Sequence, residues 1–256
     1  MTHDAQIVKS LVKSISIYNP NHFIETLNQV IAGPDKKLIN YINQQSFVIA
    51  RKYPKYFSNL LKSDYIYADG KPAAFLKTLT GIKCQRAPLT DMLLAILFYC
   101  NSGRIFILGA KPGVIEKTMN NLHSLYGHKI TAQIVGFHHG YFKAEENNNI
   151  IEKINKSGAN ILLVCFGIPK QEQWVLDNFH ALSTKAFLPG GGCIDFYTGE
   201  KKISRAPKIM QKLGLEWFFR FLLDPLRLFD RYFIGGIIFI KMVIAYFVSE
   251  IISYRF

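Results

Sequence analysis

The sequence predicts an α/β fold: a mostly parallel, Rossmann-like sheet flanked by helices, followed by a helical C-terminal appendage. Three observations carry this expectation. Short apolar strands alternate with helix-period segments from about Lys37 to Leu188. One strand, in ILLVCFG, is apolar at both parities, as a strand covered on both faces must be. After residue 200 the chain turns basic, aromatic and apolar, which divides it into an α/β unit, 1–200, and an appendage, 201–256.

The expected strands are Leu38–Ile42, Tyr65–Ala68, Arg104–Leu108, Lys129–Val135, Asn160–Cys165 and Lys185–Leu188. Between them the 3.6-residue period gives helices at Gln44–Lys52, Pro72–Leu79, Thr90–Cys100, Pro112–Leu125, Glu145–Lys156 and Pro169–Asn178. Pro112 and Pro169 suit first helical turns, where a missing N–H costs nothing. Open sheets of this kind bind ligands beyond the carboxyl ends of their strands.

About half of the 256 residues are apolar, enough to bury a sizeable core. The net charge of +13 points to an anionic partner: nucleic acid, anionic lipid or phosphorylated small molecules. Cys84, Cys100, Cys165 and Cys193 form no CxxC pair, so buried free thiols are expected rather than a zinc site. The N-terminal MTHDAQIVKSLVKS lacks the apolar run of a secretory signal, and the bulk of the chain is expected in the cytoplasm.

From Lys201 to Phe256 there are ten Lys or Arg against four Asp or Glu. Leu213–Tyr232 mixes aromatic residues with Arg220, Arg227 and Arg231, as suits a helix in a headgroup region. Phe233–Ile252 is a further apolar run, about 30 Å long as a helix and just able to cross a hydrocarbon core. Lys241, Glu250 and Gly235–Gly236 weigh against a straight span, so a monotopic, deeply seated helix is expected. An apolar face of this kind also suits packing on the protein's own core or on a second copy, and homo-oligomerisation is left open.

Several enzyme signatures are missing: GxxxxGK[ST], a GxGxxG after a strand, GxSxG and HExxH. No two aspartates are separated by one residue, so a diphosphate leaving group would rely on Arg, Lys and helix N-termini. Asp69–Gly70 ends the strand YIYA, a place for a general base, although an aspartate there also suits a helix N-cap. The loop Gly109–Gly113, with Lys111, reads either as a phosphate cradle or as a plain turn. His138 or His139 in GFHHGYF could hydrogen-bond a substrate, or merely line a polar loop. In GIPKQE, a helix start with Lys170, Gln171 and Glu172 suits a phosphate or a uracil as well as an ordinary cap. Three glycines before Asp195 let the backbone approach a ligand, or simply make a tight turn.

Taken in order, YADG, ILGAKPG, the GYF of GFHHGYF, GIPKQE, GGGCIDFYTG and RAPKIMQKLGLEWFFR resemble the WecG/TagA/CpsF family of glycosyltransferases. The resemblance runs from about Asn43 to Tyr232, and the RAPK…LGLEW block is its most specific part. It implies an inverting, metal-independent enzyme without cofactors. The sugar, a hexose or N-acetylhexosamine type, would pass from a UDP-sugar donor to an undecaprenyl-diphosphate-linked acceptor in bacterial cell-surface polysaccharide synthesis.

Residue by residue, Asp69 matches the family's proposed base, and Asn43 an asparagine lining the same pocket. Arg86 matches a diphosphate-contacting arginine and Gln171 a glutamine near the donor sugar. Lys111 and Asp195 complete the expected donor and diphosphate set. Arg205, Arg220, Arg227 and Arg231 fall in the appendage, which in the family closes over the site at the membrane, and are assigned to the acceptor diphosphate.

Two departures stand out. Leu89 replaces a glycine in the family's arginine-valine-x-glycine-x-aspartate pattern, here Arg86–Asp91, and Tyr41 stands where some members have threonine. The expected place is the cytoplasmic face of the inner membrane, peripheral or monotopic, with an anionic membrane surface as partner and no nucleic acid. A non-catalytic, membrane-docked module binding a nucleotide or polyprenyl diphosphate is the alternative.

Overall fold

A computed structural model describes residues 1–127, 131–198 and 206–253. Helices α1 (His3–Ser14) and α2 (Pro20–Ala32) precede strand β1 (Lys37–Ile42). Next come α3 (Gln44–Lys52), α4 (Pro54–Leu61), β2 (Tyr65–Ala68), α5 (Lys71–Leu79), α6 (Leu89–Tyr99) and β3 (Arg104–Gly109). Then follow α7 (Val114–Tyr126), β4 (Gln133–His138), α8 (Asn147–Lys156), β5 (Ile161–Cys165), α9 (Lys170–Asn178) and β6 (Ala186–Pro189). Past a short 3-10 turn, Ile194–Tyr197, lie α10 (Lys208–Leu213), α11 (Glu216–Leu223), α12 (Pro225–Phe229), a π turn (Asp230–Ile234) and α13 (Gly235–Ser253).

All six strands are parallel, in the order β2-β1-β6-β5-β3-β4. Strand parity decides which helices cover which face. Ile39, Tyr41, Ile105, Ile107, Ile161, Leu163 and Leu188 pack on α2, α6 and α7. Leu38, Phe106, Leu108, Leu162, Val164 and Phe187 point the other way, toward α8 and α9. Ile42, Ile66 and Ala68 meet α1, α3, α4 and α5 on that second face. The expected fold class is thus the observed one. The four cysteines are free and buried.

Three local expectations shift. The fourth strand, expected over Lys129–Val135, runs over Gln133–His138, and residues 128–130 lie outside the described ones. Pro112 and Pro169 stand just outside their helices, because Gly113 and Pro169 themselves are the N-caps. The single headgroup helix expected from Leu213 is broken: Gly214, at φ +81°, ends α10, and Asp224 with Pro225 opens α12. A residue in the left-handed region closes a helix, and a proline can only begin the next one.

Helices α1, α2 and α4 carry clear start signals. The Thr2 hydroxyl accepts from Ala5 N, the Asn19 side chain accepts from His22 N, and Pro20 and Pro54 stand in first turns. Among the described residues, Pro225–Ser253 is one helical stretch long and apolar enough to cross a membrane by length and composition. One of its faces is committed to the protein. Met242 and Tyr246 are buried beside α1 and α3, Phe239 meets Phe47 at 5.2 Å, and Glu250 pairs with Lys9 at 2.7 Å. Gly235 and Gly236 face Gln44, Gln45 and Val48 of α3. The other face, with Ile237, Ile240, Ile244, Val248 and Ile251, is exposed.

This division predicts unequal costs along one helix. Met242→Ala should destabilise the detergent-held protein by about 2–3 kcal/mol in denaturant unfolding, as truncation of a core side chain does. Ile244→Ala should stay within about 0.5 kcal/mol, as at exposed positions. Equal effects would remove α13 from the core.

Candidate active site at the carboxyl edge of the sheet

Because every strand is parallel, the strand ends and their loops collect along one edge. The connection leaving β3 runs toward β4, whereas that leaving β5 runs back toward β6, so a crevice opens between the two. The β3 loop is shaped for close approach. Gly109 lies at φ +152°, and a Cβ there would stand 2.5 Å from Cys165 Cβ. Ala110 holds φ +60°, a conformation that L-residues with a side chain rarely adopt, and it precedes the exposed Lys111.

Asp69 follows β2 at this edge. Its Oδ1 accepts from Leu89 N at 3.1 Å and its Oδ2 from Asn43 Nδ2 at 3.3 Å. It does not cap α5: the N-cap is Gly70. The carboxyl instead takes the first amide of α6, where the helix dipole favours negative charge. Leu89 is helical there with its side chain buried, so what faces Asp69 is a backbone N–H that any non-proline residue would supply. Asn43 is the N-cap of α3, in a reciprocal box with Ser46, so its amide reaches Asp69 from a fixed base.

Arg86 lies one loop away, since Ala87 N donates to Ala68 O at 2.8 Å. Its guanidinium is half-buried in an ion pair with Glu216 of α11. The pair fastens the C-terminal helices to the sheet edge. Sequence reasoning missed Glu216, although it lies within the LGLEW block.

A second cluster gathers around the loop after β6. Burial pushes the Asp195 carboxyl above the usual aspartate range, and the charges of Arg227 and Lys111 act against that rise. Arg220 lies over the Phe196 ring at 4.5 Å. Arg227 is largely exposed and paired with Asp224 at 2.5 Å. Arg231 is exposed beside its neighbour Tyr232, 5.8 Å from the ring centroid. Lys111, Asp195, Arg220 and Arg227 are therefore brought together, while Arg205 lies outside the described residues.

Gln171 is wholly buried, and each of its polar positions has a protein partner. Its Oε1 accepts from Gly167 N at 3.2 Å and from Gly191 N at 2.8 Å. Its Nε2 donates to Tyr41 Oη at 3.2 Å and to Glu172 Oε1 at 2.9 Å. Glu172 is equally buried, and its Oε2 has no partner among the described residues. Burial pushes its carboxyl up to about 7. At β4, His138 Nδ1 contacts the His139 carbonyl at 2.8 Å. Among the described residues no group of three His, Cys, Asp or Glu side chains could hold a metal ion.

Glu172 makes stability depend on pH. A carboxyl raised from 4.5 to about 7 loses folding free energy as pH climbs between those values, because the unfolded chain ionises first. The full cost, about 3 kcal/mol, applies above pH 7 and vanishes below pH 4.5. Glu172→Gln should therefore raise stability at pH 8 and change it little at pH 5, measured by thermal unfolding at both. A variant with the wild-type pH slope would show that another group is responsible.

One family model, the glycosyl transferase WecG/TagA/CpsF family, matches residues 8–251, from within α1 almost to the end of α13. That span takes in the sheet, its loops and the C-terminal helices together. The chain belongs to the WecG/TagA/CpsF family of glycosyltransferases.

Proposed function

We propose that the chain transfers a hexose or N-acetylhexosamine-type sugar from a UDP-sugar to an undecaprenyl-diphosphate-linked acceptor in bacterial cell-surface polysaccharide synthesis. The observation that carries this reading is the Asp69 carboxyl, held at a strand end by Leu89 N and Asn43 Nδ2. With two hydrogen bonds fixing its direction, its remaining lone pairs are available to an acceptor hydroxyl. The transfer is a single displacement. Asp69 removes the proton as the acceptor oxygen attacks the anomeric carbon opposite the diphosphate, and the configuration inverts.

The departing diphosphate carries charge that needs cations. Lys111, Arg220 and Arg227 lie around the Asp195–Phe196 turn, which supports a role for them at that diphosphate or at the acceptor's. Arg86 serves the same end once it exchanges Glu216 for a phosphate oxygen, and Arg205 and Arg231 are assigned to the acceptor. The reading is metal-independent, since these cations would neutralise the leaving group. Asn43 orients the base, and Gln171 acts through the loops it ties.

A lipid-linked acceptor requires a place at a membrane. Trp217, Phe218, Leu222, Leu226 and Phe229 are exposed on the same appendage that turns Arg220 toward Phe196. The exposed face of α13 continues this apolar surface. We infer a monotopic seat on the anionic cytoplasmic leaflet, with α13 lying along the surface. The division at residue 200 remains useful as a boundary of composition, the second unit being fastened to the first through Met242, Tyr246 and Glu216.

Asp69→Asn should keep the fold and lower turnover by about 10²-fold or more, the usual loss with a general base. Transfer is measured from a panel of UDP-sugars to a short-chain lipid-diphosphate acceptor, with products read by mass spectrometry. Near-wild-type turnover in the variant removes Asp69 from this role. In the same assay, wild-type transfer should persist in excess chelator, and activity restored only by a divalent ion would transfer the leaving-group role to a metal.

A further inference from the structure

The loop after β5 borders the crevice, the loop after β6 lies beside it, and a single side chain ties the two. Gly167, at φ +78°, and Gly191, at φ +57°, both donate their amides to Gln171 Oε1. The first tie is reciprocal, because Gln171 N donates to Gly167 O at 3.1 Å. The Gly191 turn is also anchored by its neighbour, Gly190 N donating to Val164 O at 2.7 Å. A side chain at Gly191 would meet Tyr41 Oη at 3.1 Å, so the turn lies flush against β1.

An amide side chain is nearly symmetric in shape, so something must decide which end faces the glycines. With the amide reversed, its NH₂ group would face two N–H donors and its oxygen would face a carboxylate. Glu172 Oε1 takes Gln171 Nε2 at 2.9 Å, and above about pH 7, where the carboxyl is ionised, Glu172 can only accept. Its second oxygen has no partner among the described residues, and no ion pair within the described structure includes it. A buried carboxyl so poorly compensated does little for stability. What it does is fix the orientation of Gln171.

We propose that Glu172 and Gln171 form a positioning clamp: Glu172 never meets substrate, but through Gln171 it sets the spacing of the Gly167 and Gly191 turns, and with it the affinity for the nucleoside diphosphate donor. The proposal rests on the glycosyl-transfer reading of this crevice. Tyr41 completes the clamp, accepting the second Nε2 hydrogen from β1. The arrangement needs an acceptor at position 172, not a charge, and that separates it from catalysis by Glu172.

The test uses the full-length protein with Glu172→Met, Glu172→Gln and Gln171→Met. Methionine matches the length and burial of the native side chains, cannot donate and accepts only weakly, so folding is expected and is checked by thermal unfolding. Glu172→Met should raise KM for the UDP-sugar about fivefold, with kcat and acceptor KM within about twofold, as loss of one buried hydrogen bond would. Gln171→Met should raise it about tenfold or more, and Glu172→Gln should restore the wild-type KM, because its amide oxygen still accepts.

Independently of any donor, hydrogen exchange at the Gly167 and Gly191 amides should quicken in both methionine variants and not in Glu172→Gln. Unchanged exchange and unchanged donor KM in Glu172→Met overturn the clamp. So does an equal fall of kcat in Glu172→Met and Glu172→Gln, which would make the charge itself the agent. If the wild-type protein transfers no sugar from any UDP-sugar, the functional reading fails while the exchange result still decides the clamp.

Discussion

Asp69 accepts one hydrogen bond from the first amide of α6 and one from the side chain that caps α3. Its own amide donates to Ile42 O, at the end of β1. One residue thereby fastens two strand ends and two helix starts. Helix α6 cannot drift without uncovering a carboxylate beside an unpaired amide, and an orphaned buried donor costs about 1–3 kcal/mol. The same fastening brings Arg86 alongside, and the Arg86–Glu216 pair carries the constraint outward to α11. The geometry of the candidate site and the attachment of the C-terminal helices therefore share a mechanical origin.

Much of this was legible in the sequence, and the reason differs from element to element. Five of the six strands were readable because a parallel sheet covered on both faces demands apolar residues at both parities, as in Ile161–Cys165. Helix α3 spans the residues the 3.6-residue period gives, Gln44–Lys52, and the structure adds a capping box between Asn43 and Ser46. Helices α1, α2 and α4 were passed over although Thr2, Asn19, Pro20 and Pro54 announce them. They lie outside or between the βα units, and the alternation itself gives no reason to look there. Strand β4 slipped because it is an edge strand with every position at least partly exposed, which blurs its apolar boundary.

Sequence motifs name candidate residues but not the contacts their side chains make. Short motifs gave Asp69, Asn43 and Gln171, but a motif does not say which way a side chain points. Gln171 is spent on four internal partners, and Glu172, its immediate neighbour, is the buried acid. Nothing local distinguishes the two. Only tertiary packing does: the loops after β5 and β6 close over Gln171 because their glycines permit it. The pairing of Arg86 with Glu216 spans 130 positions and leaves no short-range trace.

The placement of α13 follows from the same kind of constraint and bears on the proposed membrane seat. A helix of this length and composition could cross a bilayer if it stood alone. It does not stand alone: Met242 and Tyr246 are buried beside α1, and Glu250 pairs with Lys9. Crossing would draw Lys9, and beyond it the exposed Arg51–Asp4 pair of α3 and α1, toward the hydrocarbon. Charges at that depth cost about 2.5–3.5 kcal/mol each on insertion scales. Lying along a surface would avoid this cost, because the charged body would stay in water while the exposed Ile237, Ile240, Ile244, Val248 and Ile251 would meet the lipid. The appendage repeats the division, with Leu226 wholly outward and Arg220 turned in over Phe196.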